Sequence, residues 1–308
     1  MLLDTASLYF RAFFGVPDTV RAPNGDPVNA VRGLLDMIAR LTTEFEPTEI
    51  VACWDDDWRP QWRVDLIPTY KTHRVAAEPA TDADPAIEVV PDLLTPQVPI
   101  IREVLAALGI PIVGAAHHEA DDVIGTLASH AAMPVDIITG DRDLFQLVDD
   151  SRQVRVIYTG RGMARLETLT DASLAAKTGV TPAQYADFAA LRGDASDGLP
   201  GVAGVGEKTA ATLLASWGDL AGIVAAAADP ETVMGASIRA KILAAADYLK
   251  VAPAVVNVVR DLEWPAFDAR IRSSTPAQAA ELERLSAEWG LGASMTRARE
   301  ALAARIRS

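Results

Sequence analysis

Leu2-Leu3 is a short apolar run, and residues 6–14 behind it carry apolar side chains at helical spacing. The same alternation recurs along the first half of the chain. Val31, Leu34, Leu35, Ile38, Leu41 and Phe45 return every three or four residues and predict a helix. Ile50-Val51-Ala52-Cys53-Trp54 is apolar throughout, as a strand buried on both faces must be. Residues 96–108 predict another helix, closed by Gly109, a residue suited to the left-handed step past a helix end. Ile110 to Val113, Val135 to Thr139 and Val154 to Tyr158 predict strands, with a helix over 119–131. Apolar strands alternating with helices predict an α/β unit, a central mostly parallel sheet covered on both faces.

Two stretches depart from this rhythm. Residues 75–95, rich in Ala, Pro, Asp and Glu, predict a mobile insertion. From about residue 170 the periodicity is helical, over 170–178, 182–191, 207–216, 237–249, 276–288 and 293–306. The expected organisation is an α/β unit over 1–168 and a helical unit over 169–308. Charge marks the same boundary. The 308 residues carry a formal net charge of −14, of which −12 falls in 1–168 and −2 in 169–308.

Composition mostly excludes. The single cysteine, Cys53, rules out an internal disulfide framework, and the four histidines have no zinc-ligand spacing. No apolar run approaches the roughly 20 residues that span a bilayer, and Asp4 stands where a signal peptide has its basic start. A cytoplasmic protein without a membrane segment is expected. The acidity argues against a binder that works by broad phosphate neutralisation, although a local site can differ from the average.

The acidic residues are placed, not scattered. Asp4 follows the first strand and Asp55 the second. Glu119, Asp121 and Asp122 open the helix after the third, and Asp141 and Asp143 follow the fourth. In a parallel sheet these ends lie along one edge, where α/β folds put their ligand sites. Two carboxylates ~4 Å apart repel by about 4 kcal/mol at an effective dielectric near 20, so such a cluster needs protons or cations. Oxygen ligands without His or Cys favour Mg²⁺ or Mn²⁺, and two such ions ~3.5–4 Å apart suit phosphoryl transfer. Helix capping explains Glu119 or Asp121 taken singly. It does not explain Asp141 and Asp143, set hard against a strand end. Asp194 and Asp197 form a further pair, on one face if their segment is helical and in a plain turn otherwise.

Residues 201–210 read Gly-Val-Ala-Gly-Val-Gly-Glu-Lys-Thr-Ala. Glu207 separates Gly206 from Lys208 and no strand precedes, so this is not a phosphate-binding P-loop. Glycines between two helices suit a turn that lets the backbone approach a duplex, with helix-opening N–H groups facing phosphate. Arg63, Tyr70, Lys71, His73 and Arg74 form a basic and aromatic cluster in the acidic half, which suits phosphate and base contact. A solvated helix face is the plainer explanation of that cluster. Trp54, Trp58 and Trp62 recur every four residues, a spacing expected of core packing.

Together these motifs resemble the 5′-nuclease family, the flap endonuclease and 5′→3′ exonuclease group that also forms the N-terminal domain of bacterial DNA polymerase I. The residues carrying the resemblance are Asp4 with Arg11, Asp55, Tyr70-Lys71-Thr-His-Arg74, Glu119-Ala-Asp121-Asp122, Asp141-Arg-Asp143, Asp194-Ala-Ser-Asp197, and Gly201 to Ala210. The likeness runs from the first residue to about 220. It implies a helical arch within about 70–95 and a helix–3-turn–helix motif within about 182–216. It implies two or three Mg²⁺ or Mn²⁺ ions on Asp4, Asp55, Glu119, Asp121, Asp122, Asp141, Asp143, Asp194 and Asp197. Lys71, Arg74 and Arg11 would steady the scissile phosphate, and Tyr70 would stack on the terminal nucleotide. Gly201, Gly204, Gly206, Lys208 and Thr209 would hold duplex DNA, with K⁺ on the carbonyls of Val202 and Val205.

The implied activity is hydrolysis at 5′ ends and 5′ flaps of DNA in replication and repair. The implied partners are flapped, nicked, gapped or 5′-tailed duplexes and replication or repair proteins, and the implied state is a free-standing monomer. Four departures from the family pattern stand out. Thr5 replaces a usual Gly, Asp56-Asp57 is unusually acidic beside Asp55, residues 75–90 are lengthened, and Gly198 replaces a common Asn. The competing expectations are a non-catalytic DNA-junction binder and a phosphatase with a similar sheet, the latter leaving the glycine turn unexplained.

Overall fold

The computed structural model describes residues 1–77 and 86–306. The first half runs β1 (Leu2–Asp4), α1 (Thr5–Gly15), α2 (Asn29–Phe45), β2 (Val51–Cys53), α3 (Gln61–Leu66), β3 (Val75–Ala77), β4 (Ile87–Glu88), α4 (Gln97–Ala107), β5 (Ile112–Val113), α5 (Ala120–His130), β6 (Val135–Thr139), β7 (Val154–Tyr158) and β8 (Glu167–Leu169). The second half is helical: α6 (Asp171–Thr178), α7 (Tyr185–Arg192), α8 (Glu207–Trp217), α9 (Leu220–Ala228), α10 (Ala236–Ala244), α11 (Ala246–Val256), α12 (Pro276–Glu288) and α13 (Gly292–Ile306). No single helix among the described residues is long and apolar enough to cross a membrane.

Six strands form the main sheet in the order β5-β2-β1-β6-β7-β8. Every pairing is parallel except that of β7 with β8. The register sets Leu2 beside Val51 and Ile137, and Leu3 beside Ala52 and Ile138. Side chains alternate across a strand, so these rows divide two cores. Leu2, Val51, Ile137 and Val156 face a core shared with α5 and the helical half. Leu3, Ala52, Ile138 and Ile157 face a second core, built with α2 and α4. That second core is completed from the far end of the chain by Leu282, Leu285, Leu291, Met295, Ala298 and Leu302 of α12, α13 and their joint. The last two helices are therefore spatially part of the first half.

The four parallel strands β5, β2, β1 and β6 are adjacent, so their C-terminal ends line one edge of the sheet. Several elements differ from the sequence reading. The sheet gains β8, an antiparallel edge strand. α3 and α9 are additional helices, and the single helix expected over 237–249 is two, with a break at Ala245. The described part of the expected helical arch is a 3₁₀ turn, Thr72–Arg74, followed by the antiparallel β3–β4 ribbon. Of the stretch expected to be mobile, 75–95, residues 78–85 lie outside the described residues, and 75–77 and 87–88 form the β3–β4 ribbon. The three tryptophans do not share a helix, because α3 begins only at Gln61. Trp54 is buried, while Trp58 donates to the Ala86 carbonyl at the arch base.

Candidate active site

A cleft of about 880 Å³ opens at the strand-end edge, with Asp4, Asp55, Glu119, Asp121, Asp141, Arg11, Lys71 and Arg74 among its lining. Asp4 ends β1 and caps α1, its Oδ1 accepting the Ser7 N–H at 3.2 Å. Its Oδ2 accepts the Thr139 hydroxyl at 2.6 Å. Asp55 follows β2 and accepts the Ala120 N–H at 2.8 Å, which ties it to the start of α5. Asp141 follows β6, and its Oδ1 accepts the Asp143 N–H at 2.9 Å. Asp194 and Asp197 lie in a turn after α7, closed by a bridge between Asp194 and Leu199, not on a helix. The Lys71 N–H donates to the Asp197 carbonyl at 2.9 Å and brings that turn to the arch base. Gly198 makes the approach feasible. Its φ is +69°, and a Cβ there would stand 2.0 Å from the Thr69 carbonyl oxygen, so Asn could not replace it unshifted.

Burial and mutual repulsion disfavour charge here. Desolvation raises Asp4 to about 7, with Asp55 and Asp141 adding to it. Burial likewise raises Asp55 to about 6 and Asp197 to about 6. Asp121 and Asp143 are pushed well above the ordinary carboxylate range, first by burial and then by Asp141. Among the described residues no three of these groups are drawn together as tightly as in a formed coordination sphere. The donor set itself is all carboxylate oxygen, which fits a hard divalent cation.

Two expectations are corrected. Asp122 is not turned to the cleft. It is fully buried and takes both guanidinium nitrogens of Arg63, at 2.9 and 2.7 Å, and the Val259 N–H at 2.8 Å. Its carboxylate is spent on joining α3, α5 and the chain after α11. Tyr70 is not an exposed stacking platform. It is 4% exposed, and its hydroxyl donates to Glu119 Oε1 at 2.7 Å.

The three expected phosphate-binding cations differ in state. Lys71 is buried and paired with Glu119; burial alone would lower it, but Glu119 outweighs this and holds it well above its ordinary value. Arg74 is paired with Glu88. Arg11 makes no ion pair among the described residues, and its buried Nε has no hydrogen-bond partner. Sequence reading missed Arg63 as the partner of Asp122, and it missed Thr139. Nothing local signals either, since the contacts span 59 and 135 residues.

The glycine motif links α7 to α8. Gly201 and Gly204 take φ of +65° and +72°, and Gly206 is the N-cap of α8 without a side-chain cap. Lys208 and Thr209 stand in the first turn of that helix. The Val202 carbonyl accepts the Val205 N–H at 2.9 Å, and Lys241 of α10 donates to the Gly204 carbonyl at 3.0 Å.

The T5 D15 protein, crystallised with metal ions, shares the fold. It is 15% identical with a TM-score of 0.65, covering 99% of this chain and 98% of that one. The family profile "5′-3′ exonuclease, N-terminal resolvase-like domain" matches residues 1–179, and "5′-3′ exonuclease, C-terminal SAM fold" matches 180–279. A 5′-3′ exonuclease of Streptomyces coelicolor is 59% identical over 297 residues, spanning 96% of this chain and 98% of that protein. One from Mycobacterium tuberculosis is 50% identical over 316 residues, spanning 98% and 97%. The chain belongs to the 5′-3′ exonuclease family, and it is a nuclease.

Proposed function

We propose that the chain hydrolyses phosphodiester bonds at 5′ ends and 5′ flaps of DNA, using divalent cations, as a monomer acting in replication and repair in the cytoplasm. The observation that carries this reading is the meeting of buried carboxylates from four adjacent strand ends with the unpaired Arg11 in one cleft. We assign two or three Mg²⁺ or Mn²⁺ ions to Asp4, Asp55, Glu119, Asp121, Asp141, Asp143, Asp194 and Asp197. Asp122 is left out because it lies off the cleft on Arg63 and the Val259 N–H, whereas Glu119, which also meets Arg63, lines the cleft. The carboxylates whose charge is disfavoured by burial and by one another are the groups that a divalent cation would relieve. Such ions, when bound, lower the pKa of a water and offset charge on the phosphate.

The chain's own groups do the rest. Arg11 is free to bind a phosphate oxygen. Lys71 and Arg74 reach a phosphate by exchanging Glu119 and Glu88 for it, so substrate entry reorders those pairs. Tyr70 acts through Glu119, holding that carboxylate in place. Gly201, Gly204 and Gly206 let a duplex backbone approach α8, whose opening N–H groups, with Lys208 and Thr209, face phosphate without reading bases. Lys241 adds a cation to this turn. K⁺ on the Val202 and Val205 carbonyls is carried by the family likeness alone.

A non-catalytic junction binder would have no use for the full carboxylate set. The test is Asp141→Asn combined with Asp143→Asn. The double variant should fold and should lose 5′-flap cleavage in Mn²⁺. Undiminished cleavage by the pure variant would overturn the metal assignment.

A further inference from the structure

We propose that Thr139 is a positioning residue that sets the spacing of Asp4 and Asp141, and through it the affinity of the centre for divalent cations. The inference rests on the metal assignment proposed above. Thr139 ends β6 and is fully buried. Its hydroxyl donates to Asp4 Oδ2 at 2.6 Å and accepts the Asp141 N–H at 2.8 Å. One oxygen atom thus touches two carboxylate-bearing segments that come from different strands. The Thr139 carbonyl is itself fixed by the Thr159 N–H at 2.7 Å.

A second link runs parallel to the first. The Gly140 N–H donates to Ser7 Oγ at 2.9 Å, while the Ser7 N–H donates to Asp4 Oδ1 at 3.2 Å. Gly140 is needed for this closeness, since a Cβ there would stand 2.7 Å from Ser7 Oγ. Beyond Asp141 the order continues, because Asp141 Oδ1 accepts the Asp143 N–H. A shift at Thr139 therefore moves Asp4, Asp141 and Asp143 together. Each Asp4 oxygen spends one lone pair on this yoke and keeps another for a cation.

Valine has nearly the shape of threonine but no hydroxyl. At position 139 it would leave Asp4 Oδ2 and the Asp141 N–H unpartnered and let two repelling carboxylates part. Serine keeps the hydroxyl and loses only the methyl group. Removing a group that hydrogen-bonds a metal ligand typically costs about 10–100-fold in metal affinity.

The experiment titrates Mn²⁺ alone into the full chain by calorimetry, without DNA, and then measures 5′-flap cleavage against Mn²⁺ and against DNA. Thr139→Val should raise the Mn²⁺ dissociation constant at least about tenfold, and Thr139→Ser should stay within about threefold of the parent. The Mn²⁺ concentration for half-maximal cleavage should rise in step, with KM for DNA unchanged once Mn²⁺ is saturating. A merely structural role would lower the melting temperature of Thr139→Val and leave Mn²⁺ affinity of the folded protein at the parental value. That result overturns the proposal. If Thr139→Val does not fold, Ser7→Ala cuts the parallel link alone; weaker Mn²⁺ binding supports the yoke, and unchanged binding overturns it. A parent that binds Mn²⁺ but leaves flap DNA intact overturns the proposed function, not the role of Thr139.

Discussion

Asp121 is an acid in surroundings that disfavour its charge. Burial raises its pKa first, then the neighbouring Asp141 and Asp4, with Lys71 opposing them. The same holds in part for Asp4, raised to about 7, and for Asp55 and Asp197, each raised to about 6. An unfolded chain gives up these protons near pH 4. Between roughly pH 4 and 7 the native state binds more protons than the unfolded one, so these groups lower stability as pH rises through that window. Asp121→Asn removes one such charge. In EDTA at pH 8 the variant should melt at a higher temperature than the parent, and the gain should shrink as pH falls to 5. A gain that is independent of pH would contradict the electrostatic account. The sequence made the acids themselves legible, because position after a strand end is a local property. It did not separate Asp122 from Asp121, since what distinguishes them is Arg63, 59 residues away.

At the scale of elements, α3 is only six residues long, yet it carries Arg63 into the junction between halves. Arg63 is 2% exposed, bonds Asp122 through two nitrogens, reaches Glu119 at 3.2 Å and donates to the Val255 carbonyl of α11 at 3.1 Å. Removing one partner of a buried ion pair leaves an uncompensated charge and costs about 3–5 kcal/mol. Arg63→Met should therefore lose about 3 kcal/mol or more in chemical denaturation. Asp122→Asn with Arg63→Met should recover part of it. How far elements were legible follows from their chemistry. β6 and β7 match the expected bounds because apolar runs between turn residues mark both ends. β8 has a single apolar residue that is buried, Leu169, and takes its place only by pairing with β7. α9 is Leu-Ala-Gly-Ile-Val followed by alanines, with no polar face to reveal a period. The α10–α11 break at Ala245 has neither Gly nor Pro to announce it.

For the molecule as a whole, a net charge of −14 and a role on DNA stand in tension. Eight carboxylates are assigned to metal, five of them in the cleft lining, so the cleft should hold phosphate poorly until cations fill it. Flap-DNA affinity, followed by fluorescence anisotropy in Ca²⁺ and in EDTA at equal ionic strength, should be much weaker in EDTA. Equal affinity would detach binding from the carboxylate cluster. The succession of an α/β part and a helical part was legible from periodicity. The return of the chain end was not, because α12 and α13 read like any amphipathic helices and nothing in them names the surface they cover. That surface is α2 and α4, whose core they complete. Synthesis runs from the N-terminus, so the first sheet must wait for the last helices before one of its faces is closed. Contacts between α2 and α13 span most of the chain, and their loop-closure entropy falls late in folding. A growing chain thus carries the carboxylates of β1, β2, β5 and β6 on a sheet with one face incomplete until α12 and α13 have been made. Full support of the carboxylate edge therefore depends on residues more than 270 positions from Asp4.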